Sequence, residues 1–308
     1  MPYHGVMTKA LKLIIPAALV LFTLKLVLLD LASIPASTNH PIDFDKIRSL
    51  AGSSNLPQEV RYTALAQSTF PSTFVVAGTG FKKLPMVYTA FQVVYPDKST
   101  VIIDTGFDKV TAKKMNTTGF SEENYEALQQ AMLKASHIVF THEHPDHIGG
   151  LATSKNFSKL LQNSLLTEEQ ATNPETLKSG FTPSQLKQLQ ALSYEKLHQL
   201  SPGIVLIKAP GHTKGSQMIY VITQSGSEFL FAGDIAWALG NMTELSGKPY
   251  LVNMLFLNED RDAVGSQIRS LHNTFIAENS TVHLIIAHDQ NILTQLTDEK
   301  LVFNGLIE

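Results

Sequence analysis

The stretch 141-THEHPDHIGG-150 packs His142, His144, Asp146 and His147 into six residues and closes on two glycines. No other part of the chain so narrows what it can fold into. Four ionisable side chains in one short loop are costly to bury unless a cation lies among them, because a buried charge needs a partner or a metal. His142 and His144 are two residues apart, so an extended backbone sends both side chains the same way. Pro145 stiffens the turn ahead of Asp146 and His147, and Gly149 with Gly150 lets the backbone turn sharply into a following helix. The loop can give two ligands to one ion and two to a second. With no cysteine anywhere in the chain, any ion is held by imidazole and carboxylate. That donor set suits zinc, manganese, iron or cobalt better than a soft ion.

The same pattern recurs along the chain. HIVF reads as a short buried strand that runs into His142, IVLIKA leads to His212 in APGHTKGS, EFLFAG to Asp234, and VHLIIA to His288. Polar residues just past the carboxyl ends of buried strands gather on one edge of α/β sheets, where such folds place their sites. Asp234 has two carboxylate oxygens and can bridge two cations. His137, His198, His272 and His283 stand alone and read as hydrogen-bonded structural residues. RYTALA, STFVVAG, MVYTAFQVVY and VIID are β-branched and aromatic, as strands prefer. Ser121 caps a helix through NYEALQQAMLK, Thr167 with Gln170 and Thr182 with Gln185 form capping boxes, and a helix is expected over Glu259 to Glu278. Segment 157–200 is helical and more polar in pattern and suits a lid.

Ahead of this domain, Lys9 and Lys12 precede the apolar run LIIPAALVLFTL, Leu13 to Leu24. Twelve apolar residues fit a signal-peptide core, and extending the run past Lys25 makes a marginal membrane anchor. Both readings of residues 1–36, leader and anchor, place the remainder outside the cytoplasm by the positive-inside rule, in a periplasmic or extracellular location. Residues 37–58 read as a polar linker and 59–308 as the folded domain. The net charge of −3 offers nucleic acid no basic face.

Taken together, THEHPDHIGG, APGHTKGS, FAGD, the late His288 and 101-VIIDTGF-107 resemble, in order, the five characteristic regions of the metallo-β-lactamase superfamily over roughly residues 60 to 295. The resemblance implies a four-layer αβ/βα sandwich, here preceded by an N-terminal hydrophobic helix, with a dinuclear site that most often holds two zinc ions. It implies that His142, His144 and His212 hold the first metal, that Asp146, His147 and His288 hold the second, and that Asp234 bridges them. Asp104 matches a position that supports the metal loop from behind. Asp146 and Asp234 would then serve catalysis, through a hydroxide shared by both ions that attacks an electrophilic centre.

Other residues prune the chemistry. His144 stands where the oxygen-reducing di-iron relatives carry glutamate, which argues against redox work. Asp234 stands where one class of zinc β-lactamases has cysteine, and the histidine-rich class generally lacks an aspartate there. The spacing of His147, His212 and Asp234 is similar to the N-acyl homoserine lactonases and to glyoxalase II. Trp237, however, occupies the place of a tyrosine that lactonases use on the substrate carbonyl, and only Lys300 supplies the late basic residues that glutathione binding needs. The expectation is a dinuclear metallohydrolase of a small-molecule ester or lactone. Its alternatives are a thioesterase of glyoxalase II type, a β-lactamase, and a non-enzymatic metal-binding scaffold. Phe107, Trp237 and 251-LVNMLFL-257 are candidates to line an apolar acyl pocket, although Met254 to Leu257 reads first as ordinary core, since apolar runs are usually core. The expected partners are the substrate and, if the leader is retained, a membrane; a homodimer is compatible with all of this.

Overall fold

The computed structural model describes residues 3–32, 34–277 and 280–307, with side chains from Ile14 onward. Its strands are β1 (Glu59–Pro71), β2 (Lys83–Val94), β3 (Thr100–Ile103), β4 (His137–Val139), β5 (Ser164–Thr167), β6 (Ala191–Leu192), β7 (Leu197–Ser201), β8 (Ile204–Lys208), β9 (Gln217–Ile222), β10 (Glu228–Phe231), β11 (His283–Ile285) and β12 (Val302–Asn304). They form a seven-stranded sheet in the order β12-β1-β2-β3-β4-β5-β6 and a five-stranded sheet in the order β11-β10-β9-β8-β7. β3, β4, β5 and β6 run parallel. That fits their near-continuous apolar sequences, since strands covered on both faces need no alternation.

The two sheets face each other across the main core. Phe91, Val101 and Val139 of the first meet Leu206, Val221 and Phe231 of the second, and Phe91 sets its edge on Phe231 at 5.0 Å between ring centroids. Truncating such a buried aromatic to alanine costs about 3–5 kcal/mol. A second core lies outside the larger sheet, where Leu128 and Met132 of the helix Glu122–Lys134 and Ile148 and Leu151 of the helix Pro145–Ala152 cover Ile102 and Ile138. The helices Phe44–Ala51 and Arg261–Leu271 bury Ile47, Ala51, Val264 and Ile268 on the other side. The result is the αβ/βα order of four layers.

Several expectations change. Residues 37–58 are no plain linker: Asp43 caps the helix Phe44–Ala51 by accepting from the Lys46 amide, and Ile47 and Ala51 give it a reason to dock. Within STFVVAG, Ser72–Val75 forms a helical turn where a strand was expected. Segment 157–200 supplies β5, β6 and part of β7, and it buries Leu160, Leu166 and Phe181, so it is built into the wall and is not free to act as a lid. The helix expected to end at Glu278 runs Arg261–Leu271 and continues as a wider turn through Ala277, with Glu278 outside the described residues. The backbone of Tyr3–Lys25 is helical, but the side chains of Lys9 and Lys12 lie outside the described set. Among the described residues no helix is long and apolar enough to cross a membrane.

Candidate metal centre

The strand ends meet as their sequence placement suggests. Two residues past the end of β4 the chain reaches Thr141 and then the histidine loop, which passes directly into the helix Pro145–Ala152. Asp104, one residue past β3, sits at φ +60°, a left-handed conformation that aspartate tolerates better than most residues. There its Oδ1 accepts from the Thr141 amide at 2.7 Å, and its Oδ2 accepts from Thr141 Oγ1 at 2.8 Å and from His147 Nδ1 at 2.9 Å. Gly150 packs so closely that an added Cβ would lie 2.0 Å from the Thr105 carbonyl oxygen. Glu143 is fully buried inside the loop and accepts from Thr213 Oγ1 at 2.7 Å and the Gly215 amide at 3.2 Å. Burial pushes its carboxyl upward, against those hydrogen bonds.

Two groups of ligand atoms result. One is His142, His144, His212 and Asp234; the other is Asp146, His147, His288 and Asp234; within each, all ligand atoms lie within 4.8 Å of one another. His144 Nδ1 is 3.1 Å from His142 Nε2 and 3.0 Å from His212 Nε2. Asp234 Oδ2 is 3.5 Å from His212 Nε2, whereas its Oδ1 is 3.3 Å from His147 Nε2 and 3.1 Å from His288 Nε2. Donors around a tetrahedral zinc with bonds of about 2.0–2.1 Å are roughly 3.3 Å apart, so both groups have the spacing of a coordination shell. The two oxygens of Asp234 face different groups, as a bridging carboxylate requires. His147 Nε2 and Asp234 Oδ1 are buried with no hydrogen-bond partner, and buried polar atoms are seldom left so. The residues fit two cations.

The imidazoles are oriented by their second nitrogens. His147 donates from Nδ1 to Asp104, His288 from Nδ1 to the Val87 carbonyl at 2.9 Å, and His212 from Nδ1 to Glu259 Oε2 at 3.0 Å. Each bond fixes the tautomer that leaves Nε2 free to ligate, which is how outer partners hold a metal shell. Burial, and then the neighbouring imidazoles, hold His142 and His144 well below the usual histidine range, with Asp234 opposing. Burial acts the same way on His147 and His288, but carboxylates outweigh it and raise both, Asp104, Asp234 and Asp146 at His147 and Asp234 and Asp146 at His288. Asp234 is held well below the carboxylate range by His288, His147 and His142, despite its burial.

Glu259 and Lys248 were not singled out in the sequence. Lys248 is almost completely buried; its Nζ donates to the Asp234 carbonyl at 2.7 Å, the Ile235 carbonyl at 3.4 Å and Glu259 Oε2 at 3.0 Å. Burial pushes the Glu259 carboxyl up, but the Lys248 charge and His212 bring it down to about 2. Neither residue belongs to a motif, and the polar stretch around Lys248, Ser246-Gly247-Lys248-Pro249, carries no sequence signal of its burial.

Beside the ligands lies a cavity of about 420 Å³ with His144, Asp146, Asp234 and His288 at its floor and Phe70, Met86, Tyr88, Trp237, Val252 and Phe256 among its walls. A larger hollow of about 640 Å³ near Val27, Leu31 and Tyr250 contains none of the ligands. Trp237 is in the cavity wall and donates from Nε1 to Asp234 Oδ2 at 2.7 Å. Phe107 is not: it is wholly buried, packed on Tyr88 at 5.1 Å and on Phe120, because its side chain completes a small core behind the cavity. Val252, Phe256 and Leu257 reach the cavity, and Met254, Leu255 and Phe256 are exposed, so this run is not ordinary core. A second, more polar opening reaches His144 and His212 past Asn173, Glu175, Lys214 and Asp260. His137, His198, His272 and His283 enter neither ligand group.

The family model of the metallo-beta-lactamase superfamily matches residues 89–251, more than half of the chain. A hydroxyacylglutathione hydrolase of Albidiferax ferrireducens is 27% identical over 131 residues, 42% of this chain and 46% of that protein. An uncharacterised Bacillus subtilis protein, YobT, is 32% identical over 141 residues, 40% of this chain and 55% of that one. The alignments thus span about half the length of these relatives. Among solved structures, a quorum-quenching N-acyl homoserine lactone lactonase superposes with a TM-score of 0.60 at 16% identity, covering 77% of this chain and 94% of that chain. An N-acyl homoserine lactone hydrolase with N-hexanoyl-L-homoserine bound at its catalytic metal centre gives 0.61 at 15% identity, covering 78% and 96%. At such identities the likeness speaks for the fold.

Proposed function

The chain belongs to the metallo-β-lactamase superfamily, and from that premise we propose that it is a dinuclear metal-dependent hydrolase of ester or lactone carbonyls. One observation carries this reading: Asp234 turns its two oxygens to two separate, complete histidine-rich ligand groups. His142, His144 and His212 would hold one ion, Asp146, His147 and His288 the other, with Asp234 shared; zinc suits the donors best, with manganese, iron and cobalt also compatible. Two such cations would supply Lewis acidity that lowers the pKa of water and offsets the negative charge developed in acyl transfer.

The chain's own residues supply the rest. Trp237 and Lys248 steady Asp234 from its side-chain and main-chain sides, Asp104 and Glu259 orient His147 and His212, and the apolar cavity excludes water and seats an acyl group. The polar opening past Asn173 and Lys214 suits the other half of the substrate, so an amphipathic acyl lactone or acyl ester fits the shape. The short-chain thioester of a glyoxalase II substrate fits less well: Lys214 in the polar opening and Lys114 in the apolar cavity are the cations lining the two approaches, short of the basic cluster that glutathione carboxylates need. A location outside the cytoplasm accords with the N-terminal sequence and belongs to the same proposal.

The test is hydrolysis by zinc-loaded protein across acyl lactones, aryl esters, a thioester, a phosphodiester and a β-lactam, with Asp234→Asn in parallel. Lactone or ester turnover that the substitution abolishes is the expected result. Preference for the thioester or the β-lactam would replace the carbonyl class named here, and a protein that binds no metal would refute the proposal outright.

A further inference from the structure

The large apolar side chains exposed on this protein are not scattered. Among the described residues, most of them belong to three stretches: the helix from Ile14 to Val27, the loop bearing Phe81, and Tyr250 to Phe256. Leu29 is the point of contact, for its carbonyl accepts from the Gly78 amide at 3.1 Å and from Thr73 Oγ1 at 3.2 Å. Val27 and Leu31 share a hollow with Ala77, Gly78 and Tyr250. Downstream, Arg269 Nε donates to the Pro35 carbonyl at 2.8 Å and the Asn39 amide donates to Ser266 Oγ at 2.7 Å. The segment that follows the apolar helix is therefore seated on the domain, and the helix departs from a fixed place.

That place and the candidate cavity share no lining residue, but the same two short elements reach both. The turn Ser72–Val75, which seats Leu29, also sends Phe74 into the cavity wall, and the stretch containing Tyr250 continues to Phe256 and Leu257 at the mouth. Phe256 is 76% exposed, Phe81 60% and Leu255 58%. Exposed apolar side chains concentrated in this way on a folded protein mark an interaction site. Its fringe carries both signs with lysine in excess, Glu244 and Arg261 lining the hollow beside Val27. Lys82 and Lys83 follow Phe81 in the open, Lys114 stands at the cavity, and Asp30 is already paired with Lys25.

We propose that this face lies against a phospholipid bilayer containing anionic lipid, with the cavity mouth at Phe256 turned toward the membrane. Apolar side chains that sink about 5–10 Å into the headgroup boundary, framed by lysines, are the general means of such binding. A bilayer surface covers an apolar face of this kind without needing a matching shape, and its anionic headgroups are the counterpart of the lysines. The consequence deepens the proposed function, on which it rests only for the substrate: amphiphilic acyl lactones or esters dissolved in the membrane would reach the cavity without crossing water.

The experiment uses the full chain and phosphatidylcholine vesicles with and without phosphatidylglycerol. The protein has a single tryptophan, Trp237 in the cavity wall, so its fluorescence reports orientation. The expected results are flotation with the vesicles, stronger when phosphatidylglycerol is present, and quenching of Trp237 emission by lipids brominated on the acyl chain. The double variant Phe81→Ser/Leu255→Ser, altered only at exposed positions outside the cavity, should partition about tenfold more weakly or worse with unchanged metal content. Protein that does not float, a double variant that floats like the parent, or flotation without quenching would each overturn the proposal. Vesicle binding is read without substrate, so a chain that floats yet hydrolyses nothing counts against the reaction alone.

Discussion

Replacing Lys248 with methionine tests the energetic logic of the centre. Lys248→Met keeps the volume of the side chain while deleting its charge and three hydrogen bonds, to two carbonyls of the Asp234 turn and to Glu259. Glu259 is left buried with His212 as its remaining side-chain partner. Removing one member of a buried pair typically costs about 3–5 kcal/mol. The depression of Glu259 from 4.5 to about 2 points to a similar size, about 3 kcal/mol at roughly 1.4 kcal/mol per unit. A carboxylate with a lowered folded pKa contributes stability that is complete above its unfolded value and lost as pH falls through the folded one. The deficit of Lys248→Met is therefore largest at neutral pH and narrows on acidification toward pH 2. Urea denaturation of chelator-treated protein measures it, and Lys248→Met/Glu259→Leu should recover most of the loss, because removing both partners leaves no stranded charge. A single variant that costs less than about 1 kcal/mol, or a double variant whose cost is the sum of the two singles, would refute this account.

Three further outcomes are expected. Gly150→Ala forces a Cβ to within 2.0 Å of the Thr105 carbonyl and should cost about 1–3 kcal/mol or more in a thermal melt. Gly149→Ala, where the nearest atom is at 3.3 Å, should be milder, and equal losses would contradict the packing argument. Trp237→Phe retains the ring bulk but removes the donor to Asp234 Oδ2; a fall of about 10–100-fold in metal affinity or kcat/KM is expected, and unchanged values would show that the indole N–H is idle. On acidification the ion held by Asp146, His147 and His288 should leave first, because the raised His147 and His288 take up protons before the lowered His142 and His144. A chromophoric chelator titrated against pH should show two steps, and loss of both ions in one step would count against the assignment.

How much of this was legible in the chain follows from the range of the forces involved. Buried strands announce themselves by composition, so β2, β3, β4, β8, β10 and β11 were expected near where they occur. Caps are equally local: Ser121, Thr167 and Thr182 each accept from the amide three residues on. Ser72–Val75 escaped because three of its four residues are β-branched or aromatic and suit a strand by propensity, while the turn is set by hydrogen bonds to Gly80 and Lys82. The helix Phe44–Ala51 escaped because it is short and polar, and it exists for two apolar side chains that find a core built by distant strands.

For the site, the sequence by itself determined the ligand types, their loops and their place past strand ends, since histidine-rich spacing and strand order are written in consecutive residues. Only the tertiary structure decided which second atoms hold those ligands, because Glu259 meets His212 across 47 residues and Asp104 meets His147 across 43. The cavity was likewise a matter of packing. Phe107 and Trp237 look alike as aromatic neighbours of aspartates near the metal-ligand groups, yet one fills a core and the other lines the cavity. That choice depends on which strands and turns close around each ring, and no local pattern encodes it.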